Sequence, residues 1–264
     1  MAETEKSLDQ ENTDEIDIVQ ALRDKYCAGA DDLDMFVLSV RSSKVPVDLV
    51  GAKQVASKQA QLDHLRDASI SGSAASRAGD IGLLSKTAPN IQQLDISRCK
   101  FAGFSELVSI TAQLPRLTSL DISGNKLGAS GAAALAASAP NLRVLVLNHT
   151  GVSWADVVTA VTPLSNLQEL HVGYNDITVL DPAPSLPSLE LLDISGNKLS
   201  HWDDANAISA WPALHRLLLV DNPLHEIRYC GGFSSETSLV ISRTQISDWS
   251  SIDALSMDIY NYSY

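Results

Sequence analysis

The octapeptide LDISGNKL occurs twice in the chain, at Leu120–Leu127 and again at Leu192–Leu199. Extending each copy outward gives the eleven-residue pattern L-x-x-L-x-L-x-x-N-x-L, whose L-x-L step alternates as a short strand does. Clear copies of this pattern start at Ile91, Leu117, Leu142, Leu167, Leu189 and Leu214, and weaker copies start at Leu65 and Glu236. The chain is therefore built from an internal repeat.

The spacing of the repeats predicts the fold. Successive starts are separated by 26, 26, 25, 25, 22, 25 and 22 residues, which lies within the range of about 20 to 29 that is typical of leucine-rich repeats. We therefore predict an α/β fold, a leucine-rich repeat solenoid of about eight repeats. Each repeat would add one strand to a curved parallel sheet and place a short helix or turn on the convex side.

Two further regularities support this interpretation. Asparagine recurs at the ninth position of the eleven-residue pattern, which predicts a ladder of buried asparagines: Asn125, Asn175, Asn197 and Asn222. Other repeats have Cys99, Thr150 and Thr244 at this position. A large aromatic residue stands 12 or 13 residues after four of the starts, as Phe104, Trp154, Trp202 and Trp249. Ser153 and Asp156 predict a capping box for one return helix, whereas the prolines of residues 181–187 exclude a regular helix there.

Composition divides the chain into three parts. Residues 1–15 are almost devoid of apolar side chains and predict an acidic disordered tail. Residues 16–64 are expected to form an N-terminal helix and cap, with the helix over Asp14–Tyr26 and strand-like sequence in Phe36–Val50. Residues 65–264 are the solenoid, which we expect to be truncated at its C-terminal end because the chain stops within half a repeat.

Charge limits the classes of partner. The chain has 19 Lys and Arg against 32 Asp and Glu, a net charge of -13, so nucleic acid and membrane surfaces are not expected partners. No secretory signal or long apolar run occurs, which predicts a cytoplasmic protein. The three cysteines form no C-x-x-C motif, and no nucleotide-binding or metal motif occurs, so we predict no cofactor and no metal site.

Strand residues that point away from the core should line a concave face, where solenoids bind their partners. Asp95 and Asp121 occupy the same outward position in consecutive repeats, so a hydrolytic carboxylate pair is one alternative, although a solvated column is the favoured one. Leu218, Val220 and Val240 predict an apolar patch that is covered either by a partner or by a further part of the chain. The candidate partner-binding residues are Asp95, Asp121, Val146, Glu169, His171, Leu191, Asp193, Arg216, Leu218, Val220 and Val240.

The segment Val144–Val158, VLVLNHTGVSWADVV, resembles a repeat of the tubulin-specific chaperone E (tubulin-folding cofactor E) family, in which a strand ending in Leu-Asn precedes Thr-Gly and a tryptophan-initiated helix. Gln245–Trp249 (QISDW) and Ile18–Tyr26 (IVQALRDKY) are similar to further parts of that family. The likeness runs from about residue 16 to residue 255. It covers the leucine-rich repeat region only, since neither the glycine-rich CAP-Gly module nor the ubiquitin-like domain of the family is found.

The resemblance implies a function. It predicts a non-catalytic, monomeric scaffold that binds α-tubulin and other tubulin-folding cofactors while tubulin heterodimers are assembled or dismantled. The expected location is the cytoplasm, with association with the cytoskeleton as an option. We expect the chain to be a repeat-only fragment or splice form. The alternative is a cytosolic leucine-rich repeat adaptor for another protein, such as a phosphatase or a splicing factor.

Overall fold

The computed structural model describes residues 15–27, 36–38, 44–46, 61–128, 132–228, 237–248 and 250–251. The strands are β1 (Ile16–Asp17), β2 (Phe36–Leu38), β3 (Lys44–Pro46), β4 (Asp67–Ser69), β5 (Ala75–Arg77), β6 (Gln93–Asp95), β7 (Ser119–Asp121), β8 (Val144–Val146), β9 (Glu169–His171), β10 (Leu191–Asp193), β11 (Arg216–Leu218) and β12 (Ser238–Val240). The helices are α1 (Ile18–Tyr26), α2 (Leu83–Thr87), α3 (Phe104–Thr111), α4 (Ala132–Ser138), α5 (Trp154–Val161) and α6 (Asp203–Ile208), and a 3₁₀ turn covers Leu62–His64.

Eight strands form one parallel sheet in the order β4, β6, β7, β8, β9, β10, β11 and β12. Each repeat contributes one strand, and the repeats pair in register, so that Leu120 lies opposite Leu94 on one side and Leu145 on the other. The weaker sequence copies that start at Leu65 and Glu236 supply the outer strands β4 and β12. The predicted leucine-rich repeat solenoid is therefore confirmed.

The core lies behind the sheet, where the inward side chains of successive repeats stack. The central leucines are at most 1% exposed and comprise Leu94, Leu120, Leu145, Leu170, Leu192 and Leu217. Burying a leucine side chain stabilises a fold by about 1.5–3 kcal/mol, and each layer needs its neighbours to be covered. The sheet is consequently held by contacts between adjacent repeats.

The asparagine ladder supplies the polar connections of this core. Asn175 is buried, and its Oδ1 accepts hydrogen bonds from the amides of Thr150 at 2.8 Å and Gly151 at 2.9 Å. Its Nδ2 donates to the carbonyls of Leu147 at 2.8 Å and Val172 at 3.0 Å. Because buried backbone groups need partners, the ladder satisfies turns that a hydrocarbon side chain would leave unpaired. The other predicted ladder asparagines, Asn125, Asn197 and Asn222, are also buried.

The return segments contain the predicted buried aromatic residues and the predicted capping box. Helix α3 begins at Phe104 and α5 at Trp154, both buried. Ser153 and Asp156 form the predicted capping box of α5, in which the Asp156 amide donates to Ser153 Oγ at 3.2 Å and the Ser153 amide donates to Asp156 Oδ2 at 3.2 Å. Trp202 is buried immediately before α6, whereas Trp249 lies outside the described residues.

The repeat with three prolines returns without a helix. Residues 172–190 contain no helical residue, as the prolines at positions 182, 184 and 187 predict. Leu180 and Leu186 nevertheless remain buried. An extended segment therefore covers the core there as a helix does elsewhere, which explains why this repeat needs fewer residues.

The N-terminal helix begins later than predicted. Instead of starting at Asp14, α1 starts at Ile18, because residues 16 and 17 pair as β1 with β5 and the Asp17 side chain caps the helix by accepting from the Gln20 amide at 2.8 Å. Ile18 and Leu22 are fully buried in the same core as the repeats. The helix thus covers the first apolar layer of the solenoid.

Parts of the predicted domain division lie outside the described residues. These parts are 1–14 of the acidic tail, most of the cap between 36 and 64, and 252–264 at the C-terminal end. Within the cap, β2 and β3 pair as an antiparallel hairpin. The division into tail, cap and truncated solenoid stays a prediction.

Candidate functional site

The concave face is the side of the sheet on which alternate strand residues point away from the leucine core. Strand register places one central column across it, comprising Ser69, Asp95, Asp121, Val146, His171, Asp193, Leu218 and Val240. The column two residues earlier includes Glu169, Leu191 and Arg216, which also pair in register. Val220 continues the face two residues after Leu218. The structure therefore brings all the candidate residues onto one surface, although their binding of a partner stays a prediction.

The first half of this face is acidic. Asp95 accepts hydrogen bonds from Ser69 Oγ at 2.8 Å and from the Ser97 amide at 2.9 Å. Burial raises the pKa of Asp95, but the hydrogen bonds from Ser97 and Ser69 outweigh it and hold that pKa below its usual value. A general acid at neutral pH needs a raised pKa. Asp95 would therefore not be the acid of a hydrolytic pair with Asp121, and the hydrolytic alternative stays a prediction.

Helix α1 adds a tyrosine to the acidic half. The Ser69 amide donates to Tyr26 Oη at 3.0 Å. Tyr26, Asp67, Asp95 and Asp121 are among the residues that line a shallow cavity of about 240 Å³. Sequence reasoning missed Tyr26, because 43 residues separate it from its partner and no periodicity connects a helix end to a strand face.

A histidine lies at the centre of the concave face. His171 Nδ1 is 3.5 Å from Asp193 Oδ2, and His171 Nε2 is 3.7 Å from Glu169 Oε2. The hydrogen bond to Asp193 raises the pKa of His171 above its usual value despite burial. Burial raises the pKa of Asp193, but the hydrogen bonds from His171 and Ser195 outweigh this effect and hold the pKa of that carboxyl below its usual value. This centre therefore holds a proton more firmly than a free imidazole.

The second half of the face is apolar. Leu191, Leu218, Val220 and Val240 are each half-buried, in contrast to the inward Leu217, which is fully buried. Leu218 pairs directly with Val240 across β11 and β12. Adjacent aliphatic side chains on a rigid sheet are typical of a surface that a partner covers.

A row of residues in the left-handed conformation stands three positions after the residues of the central column and forms a lip along the sheet. The lip comprises Gly72, Arg98, Gly124, His149, Tyr174, Gly196, Asp221 and Arg243, whose φ angles lie between 52° and 75°. The His149 and Tyr174 rings stack with centroids 4.5 Å apart and planes 7° from parallel, and Tyr174 is 46% exposed. The aromatic pair therefore borders the concave face with part of its surface in solvent.

Sequence reasoning missed this lip. Aligning the repeats would have placed His149 and Tyr174 at the position of Gly124 and Gly196, which is the available signal. Glycine is the residue expected where φ is positive, so bulky side chains at that position stand out.

Two classes of site are not found in the part of the chain that the structure describes. No group of three or more His, Cys, Asp and Glu side chains there could hold a metal ion. No helix among those residues has the length and apolar character needed to cross a bilayer.

The fold and the repeats define the class: this is a leucine-rich repeat protein. The family described as leucine-rich repeats (two copies) matches residues 165–204, and a single leucine-rich repeat matches residues 113–136. An internalin C2 structure from Listeria monocytogenes aligns with a TM-score of 0.50 at 19% identity, over 85% of this chain and 92% of that one. At this identity the likeness shows the fold alone.

The chain is also similar to curated proteins that bear a common name. The chain is 34% identical over 249 residues to tubulin-specific chaperone E of Xenopus laevis, covering 91% of this chain and 47% of that protein. It is 32% identical to the Homo sapiens protein of the same name, over 80% of this chain and 42% of that protein. Tubulin-folding cofactor E of Arabidopsis thaliana is 30% identical, over 91% of this chain and 48% of that protein.

These matches confirm the resemblance that the repeat sequence indicated. The chain is related to the tubulin-specific chaperone E family through its leucine-rich repeat region. It spans about half the length of the curated relatives it matches.

Proposed function

We propose that the chain is a non-catalytic scaffold in tubulin folding, which holds α-tubulin on its concave face while the tubulin heterodimer is assembled or dismantled in the cytoplasm. The observation that carries the proposal is the pairing of Leu218 with Val240, two half-buried aliphatic side chains on neighbouring strands. The names of the relatives support tubulin as the partner, and other tubulin-folding cofactors are part of the proposal as further partners.

Charge is not expected to supply the affinity. Tubulin is acidic, and a chain with a net charge of -13 would repel it at long range. Shape and apolar contact at the second half of the face would have to provide the binding free energy. We therefore expect the affinity for α-tubulin to change little between low and physiological salt, and a steep loss would contradict the proposal.

Replacement of the two central aliphatic residues tests the site. Leu218→Asp with Val240→Asp should weaken α-tubulin capture at least tenfold, because the partner would have to desolvate two carboxylates. The matched control is Val179→Asp, since Val179 is an aliphatic residue that is 52% exposed in the return segment after β9. Far-UV circular dichroism should be unchanged in every variant. Retained capture by the concave variant, or equal loss in the control, would remove the concave patch as the binding site.

Two further experiments test the alternative functions, a protein adaptor and a hydrolase. An adaptor for a phosphatase, a splicing factor or another protein is favoured if tubulin is not the main protein recovered from a lysate. Hydrolysis by Asp95 and Asp121 predicts an activity that disappears in the double variant Asp95→Asn with Asp121→Asn. An unchanged assay profile would eliminate it.

A further inference from the structure

The two aromatic residues of the lip are not required by the turn that carries them. The amides of His149 and Tyr174 donate to carbonyls of the next repeat at 3.0 Å and 2.9 Å, and Gly124 and Gly196 make the same hydrogen bond at 2.8 Å. A positive φ suits glycine and is unfavourable for a residue that has a Cβ atom. The two aromatic side chains therefore cost folding free energy at a position that glycine fills in other repeats.

These side chains also gain little from burial. Tyr174 is 46% exposed and His149 is exposed as well, while their rings are held against each other in a stack. Residues in unfavourable backbone conformations cluster where function needs them, and aromatic residues are enriched among the anchors of protein interfaces. The stack therefore has the properties of a contact surface.

The lip and the positions beyond it align across the repeats. We call the residues two positions after the lip the outer row, which comprises Ala74, Lys100, Lys126, Gly151, Asp176, Lys198, Pro223 and Gln245. In the outer row Lys198 Nζ lies 2.8 Å from Asp176 Oδ1 of the preceding repeat. In the lip Arg243 Nε lies 2.6 Å from Asp221 Oδ1 of the preceding repeat. Equivalent side chains of adjacent repeats can thus touch, and both of these carboxylates are paired with a cation.

Three exposed cations lie beside the aromatic stack. Arg98 in the lip and Lys100 and Lys126 in the outer row are all exposed, and they follow β6 and β7, whereas His149 and Tyr174 follow β8 and β9. These four strands are consecutive in the sheet, so the surface from Arg98 to Tyr174 spans three strand spacings, or about 14 Å. An extended segment of about four residues has this length.

We propose that this part of the lip and outer row binds an acidic segment of the partner protein. Its carboxylates lie against the three cations, and an adjoining apolar side chain covers the aromatic stack. The choice of an acidic partner rests on the proposed function, because tubulin is acidic and charge complementarity selects such a segment. Asp95 and Asp121 on the adjoining concave face repel carboxylates, so the segment follows the lip instead of entering the acidic half of the face.

The salt dependence of binding tests the balance of charges. The net charge of -13 repels tubulin at long range, while the three cations attract its carboxylates at short range, and salt screens both effects. When the cations are removed, only the repulsion remains. The affinity of the variant for α-tubulin should therefore rise between low and physiological salt, whereas that of the unmodified chain should change little. The same salt response in both proteins would overturn the proposal.

Removal of the cations in the full chain tests their position. The lip-cation variant Arg98→Gln, Lys100→Gln and Lys126→Gln should weaken capture of α-tubulin about fivefold or more at low salt, since three exposed ion pairs are lost. The matched control removes three exposed arginines that precede β4, β7 and β8 at the opposite ends of the strands, by Arg66→Gln, Arg116→Gln and Arg143→Gln. The two variants have the same net charge. Equal losses of capture would show that only the net charge matters and would overturn the proposal.

Substitution by glycine tests the stack without straining the backbone. His149→Gly with Tyr174→Gly introduces the residue that the lip already has at Gly124 and Gly196, so urea unfolding should show an intact fold. Capture of α-tubulin should weaken about fivefold or more, because an aromatic anchor is lost. Full capture by this folded variant would overturn the proposal.

A synthetic probe separates this inference from the proposed function. A fluorescein-labelled peptide of four glutamates followed by two leucines should bind the full chain, as measured by fluorescence anisotropy. Its affinity should fall about fivefold or more in the lip-cation and glycine variants and should be unchanged by Leu218→Asp with Val240→Asp. Failure of this peptide to bind, equal binding when lysines replace the glutamates, or tighter binding of an oligouridylate would overturn the proposal.

The two failures are distinguishable. Tubulin capture that is lost in the concave variant but unchanged in both lip variants would leave the proposed function standing and overturn this inference. Binding of the glutamate peptide at the lip without any capture of tubulin would overturn the proposed function and support the lip as a site for an acidic segment of another protein.

Discussion

Replacing Gly196 by alanine should destabilise the solenoid considerably more than replacing Gly124, its counterpart in the other LDISGNKL copy. Both glycines are left-handed, with φ of 69° and 72°, so each alanine costs about 1–2 kcal/mol from backbone conformation alone. At Gly124 the new Cβ would lie 3.0 Å from Arg98 Cγ, which belongs to a flexible aliphatic stem. The cost there should therefore stay near the backbone value.

At Gly196 an aromatic ring occupies the space of the new methyl group. A Cβ there would overlap Cδ1 and Cε1 of Tyr174 and lie 2.8 Å from Cγ, so the whole ring must move. Leaving the His149 stack loses about 0.5–1.5 kcal/mol, and a distorted rotamer adds about 0.5–1.5 kcal/mol. Gly196→Ala should consequently lower the free energy of unfolding by about 1–3 kcal/mol more than Gly124→Ala does.

Urea unfolding at neutral pH measures both variants, and a double-mutant cycle identifies the cause of the difference. In a Tyr174→Ala background the ring is absent, so Gly196→Ala should cost no more than Gly124→Ala. If the two glycine variants are equally stable, or if the excess persists without Tyr174, the ring contact is not responsible and the reasoning about the lip is wrong.

Two further predictions concern the interior and the concave face. Asn175→Ala should lower the unfolding free energy by about 3 kcal/mol or more, since each buried backbone group left unpaired costs about 1–3 kcal/mol. Asn141→Ala removes one exposed bond at 3.2 Å and serves as the control, and equal losses would contradict the ladder's role. The pKa of His171 is raised in the folded protein. The stabilisation by protonated His171 is therefore complete below the pKa of the unfolded state, near 6.5, and is lost as the pH rises through the pKa of the folded state. His171→Gln should therefore cost more stability at pH 5.5 than at pH 8.5, and an NMR titration midpoint at or below about 6.5 would refute this.

The strand register was predictable because it follows from one period. Alternation places Leu120 and Ile122 inward, and the constant offset between repeats then aligns every concave residue, including Asp95 opposite Asp121. The capping box at Ser153 and the absence of a helix after Val172 were predictable for the same kind of reason, since each depends on residues a few positions apart.

The remaining features depend on contacts between distant parts of the chain. Tyr26 reaches the concave face because α1 packs on the first repeat, and β1 shortens that helix by pairing with β5. Neither contact has a local pattern. The lip could have been found by aligning the repeats, but the stacking of His149 on Tyr174 could not, because it depends on backbone angles that those residue types seldom adopt.

The non-glycine residues of the lip keep these angles because the sheet determines them from both sides. The amides of His149 and Tyr174 donate to the carbonyls of Gly173 at 3.0 Å and Ser195 at 2.9 Å on the next repeat. A change in either φ angle would therefore break a backbone hydrogen bond between neighbouring repeats. Local strain of this kind persists only where the surrounding structure holds it. The backbone that carries the side chains of the lip is thus held in place before any partner arrives. A partner that binds there loses less free energy to ordering, which favours tight binding by a small apolar patch.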